Sequence, residues 1–115
     1  KMSIEVNGQT IETNAAGYLA NHEDWNEDVA NFLAAEEGVT LDEKAWDIIN
    51  YLRDEYINNG GNQPNERNMV KYFKGVWTDL DKVDSKALYN CFPRGPAKQA
   101  GRIAGLPETK RKGGY

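Results

Sequence analysis

Thr40-Leu41-Asp42-Glu43-Lys44-Ala45-Trp46-Asp47-Ile48-Ile49-Asn50-Tyr51-Leu52-Arg53-Asp54-Glu55-Tyr56 carries the clearest helical pattern in the chain. Thr40 and Glu43 stand at capping-box spacing, in which the hydroxyl and the carboxylate satisfy orphan backbone amides reciprocally. Behind them Ala45, Ile48, Ile49, Leu52 and Tyr56 recur at three- and four-residue steps and fall on one helical stripe. Asn59-Gly60-Gly61 ends the helix. Its single apolar stripe requires other elements to cover it.

The elements on either side supply that cover. Asp24 or Asn26 is expected to cap an earlier helix with Val29, Phe32 and Leu33 inward, closed at Gly38. Farther back, Ile4-Glu5-Val6 and Thr10-Ile11-Glu12 alternate around Asn7-Gly8, a dipeptide suited to a tight hairpin turn. Toward the C-terminus, Asn62-Gln63-Pro64 is expected to open a helix with Met69, Val70 and Phe73 in the core. Residues 75–84 read as a loop around Trp77 and Leu80. Ser85 is expected to cap a short helix bearing Leu88 and Phe92, stopped by Pro93. Pro96 then starts a last helix with Ala100, Ile103 and Ala104 inward and Gly105 as its stop. The fold class expected is mainly α within α+β: an N-terminal β-hairpin packed on a small helical bundle, with helix-turn-helix or winged-helix-like character. Residues 1–107 form one domain in this reading, and the polar run 108–115 is a mobile C-terminal arm.

Composition narrows the function classes. A chain of 115 residues has room for one compact core. No apolar run approaches the ~20 residues that span a bilayer, and no signal peptide is expected. Met2 is expected to be the natural initiator, with Lys1 appended ahead of it. A single cysteine, Cys91, excludes an internal disulfide and a cysteine-based zinc cluster, so a reduced cytoplasmic setting is expected. No metal and no cofactor are expected. The net charge of −4 is unevenly placed. Residues 1–93 hold 8 Lys/Arg against 17 Asp/Glu, whereas residues 94–115 hold Arg94, Lys98, Arg102, Lys110, Arg111 and Lys112 against Glu108 alone. A basic tail on an acidic body can seek an acidic partner or fold back on the body itself.

The residues offer little catalytic chemistry. His22, the sole histidine, lies between Asn21 and Glu23 and reads as a solvated loop residue without companion ligands. Glu36 and Glu37 read as a solvated face. Cys91 follows Leu88 at a helical step and precedes Phe92-Pro93, so it reads as a buried, inert thiol. Arg67, Lys71 and Lys74 on the third helix, with Lys110–Lys112, are a secondary candidate for nucleic-acid contact. The acidic body, with a pI near 5.0, opposes that candidate.

Leu88-Tyr89-Asn90-Cys91-Phe92-Pro93-Arg94-Gly95-Pro96-Ala97-Lys98-Gln99-Ala100, followed by Ile103-Ala104-Gly105-Leu106-Pro107, resembles the C-terminal signature of the TusE/DsrC family. Gly17-Tyr18-Leu19, Asp24-Trp25, Trp46-Asp47-Ile48-Ile49, Leu52-Arg53-Asp54, Tyr56, Pro64 and Arg67 extend the resemblance over essentially the whole chain. The resemblance implies a sulfur carrier rather than a free-standing catalyst, acting in a relay toward tRNA 2-thiouridine or as a partner of dissimilatory sulfite reductase. It also implies a working cysteine at the penultimate position of a mobile arm and, in DsrC, a second cysteine directly after Lys-Gln-Ala. Here those positions hold Gly114 and Gly101. The expectation is therefore a scaffold that keeps its docking surface, Arg94, Lys98, Arg102, Lys110, Arg111, Lys112 and Tyr115, without sulfur carriage. Sulfur carriage through Cys91 and a helix-turn-helix DNA-binding role are the alternatives.

Overall fold

Asn7 and Gly8 both take positive φ, 52° and 78°, and turn the chain back on itself in two residues. The computed structural model describes residues 2–109. Strand β1 (Met2–Val6) pairs antiparallel with β2 (Gln9–Thr13), Ile4 facing Ile11 and Val6 facing Gln9. Alternation puts Val6, Ile11 and Thr13 on the buried face, with Ile4 partly covered. The Asn7 amide donates to Asp28 at 2.6 Å and ties the turn to the helix that follows.

A 3-10 turn (His22–Asp24) leads into α1 (Glu27–Glu36), capped by the Asn26 side chain, which accepts from the Val29 amide. Helix α2 (Glu43–Asn58) begins two residues later than the Thr40–Glu43 pair predicts. Asp42 is its cap and accepts from the Ala45 amide at 2.9 Å, so Glu43 becomes the first helical residue and the capping box does not form. The cap differs from the expected residue twice more. Asn65, not the Asn62–Pro64 segment, caps α3 (Glu66–Lys74), and Asp84, not Ser85, caps α4 (Ser85–Cys91). At α2 and α3 an Asx side chain nearer the helix takes the amide; at α4 Asp84, one residue earlier than expected, does so, and Ser85 becomes the first helical residue. Helix α5 (Lys98–Ile103) starts two residues after Pro96, and no side chain caps its N-terminus.

Ala45, Ile48, Ile49 and Leu52 of α2 are essentially inaccessible, as the stripe predicts, and Tyr56 is half-buried. Burying the three branched side chains contributes roughly 1.5–3 kcal/mol each, well beyond any per-residue helix preference. They join Val29, Leu33, Met69, Phe73, Leu88, Ile103 and Leu106 in one core. Helix α5 packs against both α1 and α2, and α3 against α4.

Helix-turn-helix or winged-helix character is not seen. Six residues or more separate every pair of successive helices, where that motif needs a turn of three or four. The hairpin precedes all the helices and its turn is tied to α1, so it does not stand as a wing beside α3. No helix among the described residues is long and apolar enough to cross a membrane.

The cap assignment is checked by substitution: Asp42→Ala is expected to lower stability by about 1 kcal/mol and Thr40→Ala by only a few tenths, read from urea midpoints. Equal losses at the two positions would return the cap to Thr40.

Candidate partner-binding site at the C-terminal helix

Helix α5 is six residues long, too short to hold itself together in water. Its end is built by side chains from elsewhere. The Trp25 indole donates to the Ile103 carbonyl at 2.9 Å, and Arg53 Nη1 donates to the Ala104 carbonyl at 2.8 Å. These are the orphan acceptors that a helix C-terminus leaves behind. The Arg53 guanidinium also lies 4.0 Å from the centre of the Trp25 ring, a cation–π contact, and burial pulls its pKa below the ordinary arginine value. Gln63 then donates to the Pro107 carbonyl at 3.1 Å, fixing the chain where it leaves the body. Gly105 has φ 75°, and a Cβ there would lie 2.6 Å from Trp25 Cδ1, so only glycine lets the turn slip beneath the indole. Periodicity alone does not find Trp25, Arg53 or Gln63; for the first two, only the family-like segments Asp24-Trp25 and Leu52-Arg53-Asp54 mark them.

Arg102, expected to face a partner, is turned onto the chain's own body. Its guanidinium reaches Glu37 at 2.5 Å and Glu36 at 2.8 Å, and its Nε donates to the Gly17 carbonyl at 2.9 Å. Its side chain is only 16% exposed, which leaves a partner little of it to touch. Burial alone would lower the Arg102 pKa; the hydrogen bonds to Glu37 and Glu36 override that and raise it. Glu37 also accepts from buried Gln99 at 2.7 Å, and Gln99 Oε1 accepts from the Arg94 amide. The two glutamates are therefore structural acceptors for α5 and not the solvated pair the sequence suggests. The fold-back reading of the basic segment holds at Arg102.

Arg94 and Lys98 remain exposed and line a cleft of about 510 Å³ with Tyr18 and Glu108. Burial and the charge of Glu108 raise the Tyr18 phenol above its usual pKa. Lys110, Arg111, Lys112, Gly114 and Tyr115, with the rest of the expected arm beyond Thr109, lie outside the described residues.

Gly101 is buried inside α5, on a side where a Cβ would meet nothing nearer than Gln63 Oε1 at 3.9 Å. Cys91 lies elsewhere, at the end of α4, 8% exposed, close enough to Asp42, Lys44 and Asp47 at the start of α2 to feel their charges. Burial, reinforced by Asp42, pushes its thiol up to about 11. His22 is not the solvated loop residue expected. It is half-buried with its ring edge against Tyr56, centroids 5.1 Å apart, and its Nδ1 is covered without a hydrogen-bond partner among the described residues. No group of three or more potential metal ligands occurs among the described residues.

Arg67 and Lys74 line a groove of about 810 Å³ between α3 and the loop after it, interleaved with Glu66, Asp81 and Asp84. Lys71 is exposed on the same helix. The mixed sign of this groove is unlike a phosphate-tracking surface.

The sequence model of the family described as DsrC like protein matches residues 5–111. Among curated proteins, the Sulfurtransferase TusE of Photorhabdus laumondii is 45% identical over 101 residues, covering 88% of this chain and 89% of that protein. The Sulfurtransferase TusE of Escherichia coli K12 is 39% identical over 101 residues, 88% of this chain and 91% of its own length. Among solved structures, the oxidized gamma-subunit of the dissimilatory sulfite reductase (DsrC) from Archaeoglobus fulgidus superposes with a TM-score of 0.85 at 37% identity, covering 96% of this chain and 98% of that one. The NMR structure of Allochromatium vinosum DsrC gives 0.84 at 41% identity with the same coverage. A match over nearly the whole length, in sequence and in backbone alike, places the chain in the TusE/DsrC family.

Proposed function

We propose that the chain is a docking partner within a sulfur-relay or sulfite reductase system that does not itself carry sulfur. Relatives named as sulfurtransferases and as a sulfite reductase subunit support the setting. The observation that carries the reading is the occupant of position 101. The clamp of Trp25, Arg53 and Gln63 around the end of α5 is complete, yet the residue after Lys98-Gln99-Ala100 is glycine. The space toward Gln63 would admit a side chain, which supports reading position 101 as one that lacks the family's thiol.

Relay chemistry needs a thiolate that can attack sulfane sulfur. Cys91, the only cysteine in the sequence, is covered, and burial pushes its thiol up to about 11. At neutral pH roughly one molecule in ten thousand would be ionised. Arg94 and Lys98, on the rim of the cleft where the chain leaves the body, are the proposed contact for an acidic partner surface. Lys110, Arg111, Lys112 and Tyr115 join that contact on the strength of their charge and position in the sequence. Direct DNA binding through Arg67, Lys71 and Lys74 gains no support, because the groove is of mixed sign and the relatives are named for sulfur chemistry.

After incubation with a low-molecular-weight persulfide, intact-mass measurement is expected to show no species heavier by one sulfur atom that passes the sulfur on to an acceptor thiol. A stable, transferable adduct on Cys91 would refute the proposal. Alkylation of native Cys91 by iodoacetamide is expected to keep rising about tenfold per pH unit through pH 9–10. The sign follows from the raised pKa: the folded thiol holds its proton beyond the usual 9, so a rate that levels off near 9 would show an accessible, unperturbed thiol. Finally, Gly101→Ala is expected to raise stability by about 0.5–1 kcal/mol, since the backbone there is ordinary helix and the Cβ has room. A loss on that substitution would mean that position 101 is closed to any side chain, a thiol included.

A further inference from the structure

The described residues expose four large hydrophobic side chains, Met2, Ile57, Tyr72 and Val76, and Tyr72 and Val76 line one trough against α2. There Tyr72, 47% exposed, stacks on Tyr51 with centroids 4.1 Å apart and planes 18° from parallel. The pair floors a trough of about 280 Å³ edged by Val76 and by Asp47 and Asp54 of α2. Ile57, 49% exposed, follows Asp54 by three residues and extends the same side of α2 by a turn. Gathered exposed apolar side chains of this kind mark contact surfaces.

The charged residues that line the trough, Asp47 and Asp54, are both acidic. Asp47 uses one oxygen to accept from the Trp77 indole at 2.9 Å, and Asp54 accepts from the Asn58 amide at 2.7 Å; neither has an ion pair among the described residues. Lys44, the cation near Trp77, is held by Asp79 at 2.7 Å, and its charge also reaches Asp47. Of the α3 cations, Arg67 and Lys74 line the groove on the other side of that helix, and helical spacing puts Lys71 with them.

We infer that this shelf is a docking site for a basic, extended segment of a partner protein, with an apolar residue between two cations. The carboxylates set the spacing. Asp47 and Asp54 are two helical turns apart, about 10.5 Å along α2. A polyproline II segment repeats its side-chain direction every third residue, about 9.3 Å, so cations at i and i+3 reach both acids. The exposed face of Tyr72 can take one of them by cation–π contact, for which a planar guanidinium is better suited than an ammonium. The intervening apolar residue lies against Val76. This surface is separate from the cleft at Arg94 and Lys98, and the inference holds whether or not the chain carries sulfur.

The test is a backbone-amide NMR titration of the full chain with the blocked peptide Gly-Arg-Pro-Leu-Arg-Gly. Saturable shifts are expected at residues 47–57 and 72–76, with a Kd on the order of millimolar and a loss of about tenfold between 0.05 and 0.5 M salt. Asp47→Asn together with Asp54→Asn keeps the shape and the acceptor for Trp77, and is expected to weaken binding by about tenfold. Absence of shifts, shifts confined to the Arg94–Lys98 cleft, or equal binding of a peptide with glutamates in place of both arginines would overturn the inference. So would shelf shifts that depend on protein concentration without peptide, which would assign the face to a second copy. Shelf shifts on deleting residues 110–115, again without peptide, would assign it to the chain's own C-terminal segment and likewise overturn it.

Discussion

Trp25 and Arg53 meet over the last turn of α5, and the rest of the C-terminal architecture depends on that contact. A six-residue helix cannot hold its own end. One donor from the loop before α1 and one from α2 take the carbonyls of Ile103 and Ala104, and the guanidinium packs on the indole. Because Arg53 is charged and partly desolvated, its hydrogen bond is of the stronger, charge-assisted kind. Gly105 is the geometric condition for the arrangement, since any Cβ there would strike Trp25. The clamp thus joins residues 25, 53 and 103–105 and determines where the chain emerges.

A second set of contacts holds the other side of the same helix. Arg102 gathers Glu36, Glu37 and the Gly17 carbonyl, and Gln99 bridges Glu37 to the Arg94 amide. Charges that look available in the sequence are neutralised within the fold, and Arg94 and Lys98 are left at the surface of the cleft. The same cleft is also lined by Glu36, Glu37 and Glu108.

Much of this was legible in the residues. The α2 stripe, the Asn7-Gly8 hairpin and the stop at Gly105 follow from local rules, because periodicity and positive φ are properties of short segments. Helix starts were read one to three residues off at Thr40, Asn62 and Ser85, because several polar residues compete for each cap and only the folded backbone selects Asp42, Asn65 and Asp84. Glu36, Glu37 and His22 look solvated in the sequence, since nothing local shows that Arg102 or Tyr56 will arrive beside them from more than thirty residues away.

The sequence by itself determined the class of elements, the family signature and the absence of a cysteine after Lys98-Gln99-Ala100. Composition and short-range pattern suffice for those. Only the tertiary structure decided that Arg102 turns inward, that Glu36 and Glu37 serve as its acceptors, and that Tyr51 and Tyr72 stack beside Asp47 and Asp54. Each of those depends on distances between segments far apart in the chain, and on the desolvation that packing imposes on them.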